Sequence, residues 1–158
     1  MKIFSETFVD SNIETIIDYF YKVSTNPDIY KMDSHKGIIP VKGKIIEEGA
    51  IFETREKFLL IFLRLRFITT KTKANKSFTF KLIKPFSYLN IMGKFVLQQN
   101  KEKVSLKLVV FNDPNSHFLS KMVSTLIFYS PIRFLIKKQI SKEVQMIENS
   151  IEESILVN

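Results

Sequence analysis

Any chemistry in this chain starts from a carboxylate in an unusual position. The stretch GAIFETREKFLL, Gly49 to Leu60, alternates with a period of two. As a β-strand it sets Phe52, Thr54, Glu56, Phe58 and Leu60 on one face and Glu53, Arg55 and Lys57 on the other. Glu56 then stands among apolar residues. A carboxylate on a core-facing row is costly unless it is paired, hydrogen-bonded or wet. Glu56 therefore either has a cross-strand partner or orients a ligand or moves a proton. Arg64 and Arg66 alternate with Leu63 and Leu65, which puts them on the solvent side rather than beside Glu56.

The chain has two histidines, His35 in MDSHKG and His117 in NDPNSHF, with Asp33 and Asp113 close in sequence. Together with Glu56 they could in principle supply an N/N/O set for zinc that leaves a position for an activated water. The spacing argues against it. HExxH is absent, and Lys121 stands four residues after His117, where a helical site wants a carboxylate or imidazole. No metal ligand is assigned, and Glu56 and His35 are the candidate catalytic residues for metal-free acid–base work. With no cysteine in the sequence, disulfides, thiol catalysis and thiolate metal sites are all excluded, which suits a reducing, cytoplasmic setting.

The elements that would position these residues are legible from pattern. Lys2 to Val9 reads as a strand. Ser11 with Glu14 forms a capping box, and Ile13, Ile16, Ile17 and Phe20 supply a helical apolar stripe. Ser24 to Gly37 is turn-rich, with room for a short second helix around Asp28 to Met32. Six strands follow: Gly37 to Ile46, Ala50 to Leu60, Ile61 to Lys73, Ser77 to Lys84, Leu89 to Gln99 and Lys103 to Phe111. Short turn signals separate them, so an antiparallel meander is expected. From Ser116 to about Ser154 the pattern is helical, broken at Pro131. Beyond it Ile136, Ile140, Val144, Ile147 and Ile151 form one apolar stripe. At 158 residues and 45% hydrophobic the chain can bury a sizeable core within one domain, residues 1–158.

This order resembles the START/Bet v 1-like (SRPBCC) superfamily, the helix-grip fold of polyketide cyclases and lipid carriers. The resemblance rests on KIFSETFVDSNIETIIDYF, the EEGAIFETRE hairpin and SPIRFLIKKQISKEVQMIENSIEE. It implies an α+β fold: a curved antiparallel sheet of about seven strands wrapped around a long C-terminal helix, with two short helices between the first two strands. It further implies an elongated cavity between sheet and helix for a hydrophobic or amphipathic small molecule. On that analogy Phe52, Glu56, Phe58, Phe80 and Phe95 line the cavity and Met122 and Tyr129 close it. The alternative implied by the same resemblance is a cyclase or a zinc-dependent C–C hydrolase. No nucleotide or redox cofactor is expected.

The net charge of +8 favours anionic surroundings. No helix-turn-helix, zinc-finger or RNP pattern is present, and the phenylalanines fall on buried-looking rows, so nucleic acid is not an expected partner. Arg133, Lys137, Lys138 and Lys142 beside LIFYSPIRFLI instead suit peripheral contact with an anionic membrane. The N-terminus MKIFSETFVD carries Glu6 and Asp10 and lacks a signal-peptide apolar run. The apolar runs FLLIFL and STLIFYSPI fall short of the roughly 20 residues of a spanning helix.

Overall fold

The computed structural model of the chain describes residues 2–26, 38–58, 61–113, 118, 122, 125, 129 and 132–156, without the side chains of 56–58, 61–62, 132 and 154–156. Strand β1 (Lys2–Val9) leads into helix α1 (Ile13–Thr25). Strands β2 (Ile38–Lys42), β3 (Ile51–Phe58), β4 (Ile61–Lys73), β5 (Ser77–Lys84), β6 (Ile91–Asn100) and β7 (Lys103–Asn112) follow, and helix α2 (Ile132–Leu156) comes last. The seven strands form one antiparallel sheet in the order β1-β7-β6-β5-β4-β3-β2. Sequential strands are neighbours throughout the meander, and β1 closes its far edge against β7.

Helix α1 starts one residue later than the capping box implies. Asn12 is the N-cap, its side chain accepting from the Thr15 amide at 2.8 Å. Asn caps as well as Ser, so the Ser11/Glu14 spacing marked the right turn and the wrong residue. Strand β2 ends at Lys42, short of the expected Ile46, because Gly43 takes a left-handed φ of +69° and turns the chain. Ile45 and Ile46 keep the apolar pattern of a strand because that turn is itself buried. Thr69 holds it down: its hydroxyl donates to the Ile45 carbonyl at 2.5 Å. The helix expected around Asp28 to Met32 lies outside the described residues.

The sheet bends where β4 meets β5. Register shifts occur between Arg66 and Phe67 and between Thr69 and Lys71, and such bulges add local twist and curvature. The inner face carries Phe52, Phe67, Phe78, Phe80, Phe95, Leu97, Leu106 and Leu108. Helix α2 delivers Ile140, Val144, Ile147 and Ile151 to it, all buried, one stripe at spacings of three and four as the sequence requires. Polar contacts fix the helix along β1: the Ser5 hydroxyl donates to Ser141 at 3.1 Å and Thr7 donates to Glu148 at 2.5 Å. Helix α1 packs Ile16, Tyr19, Phe20 and Val23 into the same core.

Candidate functional site

The inner face of the sheet carries a continuous train of aromatic rings. Phe52 stacks on Phe67 at 5.4 Å, and both meet Phe80 edge-on. Phe80 touches Phe95 and Phe78, and these reach Phe20 of α1 at 5.4 and 5.0 Å. The train crosses β3, β4, β5 and β6 because inward positions of neighbouring antiparallel strands are cross-strand partners: Phe52 faces Phe67 and Phe78 faces Phe95 in register. Gly93 makes room for it. A Cβ there would sit 2.2 Å from Cε2 and Cζ of Phe80, so glycine lets the ring lie down on β6.

Among the described residues two hydroxyls are buried in this core without a hydrogen bond of good geometry. The Thr54 hydroxyl, two residues from Phe52 and therefore on the same face of β3, is buried with no hydrogen-bond partner among the described residues. The Tyr19 hydroxyl is likewise buried without a hydrogen bond of good geometry. Burial drives its phenol well above the usual tyrosine value; the neighbouring Ser150 hydroxyl opposes that shift and the Glu143 carboxylate adds to it. An unsatisfied buried hydroxyl costs about 1–3 kcal/mol.

The buried carboxylate that the structure describes is on the opposite face. Glu53 is 8% exposed. Its Oε1 accepts from the Arg66 guanidinium at 2.6 Å, and its Oε2 lies 3.6 Å from Arg64. Register puts Glu53 directly opposite Arg66, so the arginines lie on the outer face as expected, with side chains 64% (Arg64) and 37% (Arg66) exposed, and there also cover this carboxylate. Glu56 is held in β3 opposite Leu63, and pairing runs from Ile51↔Ile68 to Phe58↔Ile61 without a shift. The Glu56 and Phe58 side chains lie outside the described residues, as do His35 and His117.

Of the other residues read from sequence as lining a cavity, Phe52, Phe80 and Phe95 are together in the aromatic train and buried. Met122 and Tyr129, expected to close the concave face, are 49% and 73% exposed. They lie at helical positions with Phe118 and Thr125, and the spacing 118, 122, 125, 129 is a single helix face. The segment around them is apolar on more than one face, so periodicity could not say which face is outward. A groove of about 460 Å³ opens elsewhere, lined by Ile13, Lys73, Lys76, Lys94, Val96 and Gln98 among others. Among the described residues no three His, Asp or Glu side chains are grouped to hold a metal, and no helix is long and apolar enough to cross a membrane.

No family model and no curated protein matches the sequence. Solved structures do match over nearly the full chain. The protein TTHA0849 from Thermus thermophilus superimposes with a TM-score of 0.68 at 10% identity, covering 98% of this chain and 99% of that one. Ara h 8.0201 gives 0.59 at 12% identity over 100% and 99% of the two chains. Ginseng major latex-like protein 151 from Panax ginseng gives 0.54 at 12% identity over 80% and 90%. The chain has the Bet v 1-like helix-grip fold.

Within the helix-grip frame, the sequence signals that went unused were single residues. Gly93 sits inside an otherwise β-branched and aromatic strand, a mark of close approach from a neighbour. Thr54 shares the row of Glu56, and its hydroxyl is a buried polar group of that row without a partner among the described residues. Tyr19 belongs to the α1 stripe but reads in sequence as one more aromatic.

Proposed function

We propose that the protein binds and carries a hydrophobic or amphipathic small molecule, lipid-like or polyketide-like, on the concave face between the sheet and the C-terminal helix, with residues 1–158 acting as one domain in the cytoplasm. The observation that carries this reading is the Thr54 hydroxyl, buried without a partner on the inward row of Phe52, whose ring meets those of Phe67 and Phe80. An apolar surface with a few unsatisfied polar atoms is the usual composition of a small-molecule site. The helix-grip fold supports it at the level of fold. Glu56, on the same row by alternation, would orient a polar end of the ligand. Catalysis by a cyclase or zinc-dependent hydrolase through Glu56 and His35 rests on the resemblance alone.

The test is native mass spectrometry of the purified protein beside its denatured mass, followed by titration of the stripped protein with anilinonaphthalene sulfonate and a panel of fatty acids and sterols. A carrier shows an adduct of several hundred daltons lost on denaturation, or saturable displacement of the fluorophore. Glu56→Gln then leaves neutral ligands bound as before. A bare polypeptide mass with no saturable binding of any probe overturns the reading.

A further inference from the structure

Large apolar side chains are exposed at several places among the described residues, Phe4, Phe8 and Tyr88 included, but the three most exposed fall between residues 118 and 134. Phe118 is 74% exposed, Tyr129 73% and Phe134 70%, with Met122 at 49%. The first three turns of α2 set charge around Phe134. Arg133, Lys137 and Lys138 are exposed, and Lys137 and Lys138 follow Phe134 by three and four residues, which puts them on its face of the helix. From Pro114 to Lys142 the sequence has no aspartate or glutamate, while Lys121, Arg133, Lys137, Lys138 and Lys142 are all basic. The acidic residues of α2, Glu143, Glu148, Glu152 and Glu153, begin where that run ends.

The geometry points to a docking surface for an anionic lipid bilayer, made by Phe118, Met122, Tyr129 and Phe134 with Arg133, Lys137 and Lys138. Exposed aromatics beside a one-signed basic face are what an interfacial helix presents to headgroups. The charges select the occupant. A symmetric pair of copies would set this patch against itself, bringing cations onto cations. Arg133 with Lys137, and Lys138 with Lys142, are already like-charged pairs four residues apart, an arrangement that costs free energy in water. An anionic surface turns that repulsion into attraction. The segregation of charge along α2 would orient the molecule, basic end down and acidic end away. This inference goes beyond the carrier reading and does not rest on it, since the surface is the same whether the core is filled or hollow.

The experiment is co-sedimentation of the full chain with phosphatidylcholine vesicles, with and without phosphatidylserine, alongside light scattering of the protein alone. Binding is expected to vesicles containing phosphatidylserine and to fall with salt. Lys137→Gln with Lys138→Gln should weaken it about thirty-fold, each basic residue near the surface being worth roughly a factor of five. Phe118→Ser with Phe134→Ser should weaken it as well, with urea midpoints no lower than that of the parent protein. The inference is overturned if the protein stays in the supernatant with anionic vesicles, or if binding survives both double variants. It is equally overturned if the protein is a dimer that Phe118→Ser with Phe134→Ser makes monomeric, or if these residues bind only an acidic protein. A ligand-free protein that binds vesicles sustains it even where the carrier reading fails.

Discussion

Phe80 lies on Gly93 across the β5–β6 pair, so close that a methyl group on the glycine would overlap the ring at 2.2 Å. One residue without a side chain therefore sets the position of the ring at the centre of the aromatic train. Gly93→Ala should destabilise the protein by about 1–3 kcal/mol, the usual range for overpacking, read as a lower urea midpoint with an unchanged slope. Phe80→Leu placed in the Gly93→Ala background should recover part of the loss. If the pair of changes is simply additive, the two residues are not in contact.

Much of this arrangement is legible in the sequence, and the reasons for the remainder are physical. Strand positions follow alternation closely because each strand has one face in the core: Phe78, Phe80 and Leu82 are all buried, as are Leu106 and Leu108. Alternation fails at Ile45 and Ile46, which are buried in a turn. The α2 stripe is readable because polar residues separate its apolar positions. Met122 and Tyr129 offer no such guide, because apolar residues in their stretch fall on more than one helix face and pattern does not distinguish the outward one. Alternation sets Glu53 outward, correctly, but its burial depends on the two arginines of β4, whose contribution only the β3–β4 register makes visible.

That register leads to the second prediction. Glu53 meets Arg66 at 2.6 Å and Arg64 at 3.6 Å, with the Arg66 side chain 37% exposed and that of Arg64 64% exposed. Charge-assisted hydrogen bonds are worth more when short and partly desolvated, and exposed ion pairs contribute at most about 1 kcal/mol. Double-mutant cycles with Ala should therefore give a larger coupling for Glu53 with Arg66 than for Glu53 with Arg64. Equal couplings would mean that the carboxylate is shared rather than held by one guanidinium.

Thr54→Val keeps the shape of the inner face and removes its unpartnered hydroxyl. With no ligand bound, deleting an unsatisfied buried polar atom should leave stability unchanged or raise it by about 1 kcal/mol. The same change should weaken ligands whose polar group reaches Thr54 while sparing fully apolar ones. Urea unfolding of the stripped protein checks the first part, and competition between a fatty alcohol and an alkane of equal length checks the second. A clear loss of stability in the stripped protein would show that Thr54 has a partner after all.

Tyr19 should be seen in the alkaline titration. Its phenol is held well above the ordinary value, chiefly by burial against α2, whereas in the unfolded chain it ionises near its usual value of about 10. Above that pH the unfolded state gives up a proton that the folded state retains, so stability conferred by the neutral phenol is complete below about pH 10 and declines as pH rises toward the folded value. Phenolate absorbance should show a late step, Tyr19 ionising together with unfolding. Tyr19→Phe should remove that late step and flatten the alkaline fall in stability while changing neutral-pH stability by no more than about 1 kcal/mol, because the hydroxyl it deletes makes no hydrogen bond of good geometry. A late phenol that persists in Tyr19→Phe would assign the shift to another tyrosine and place Tyr19 in contact with solvent.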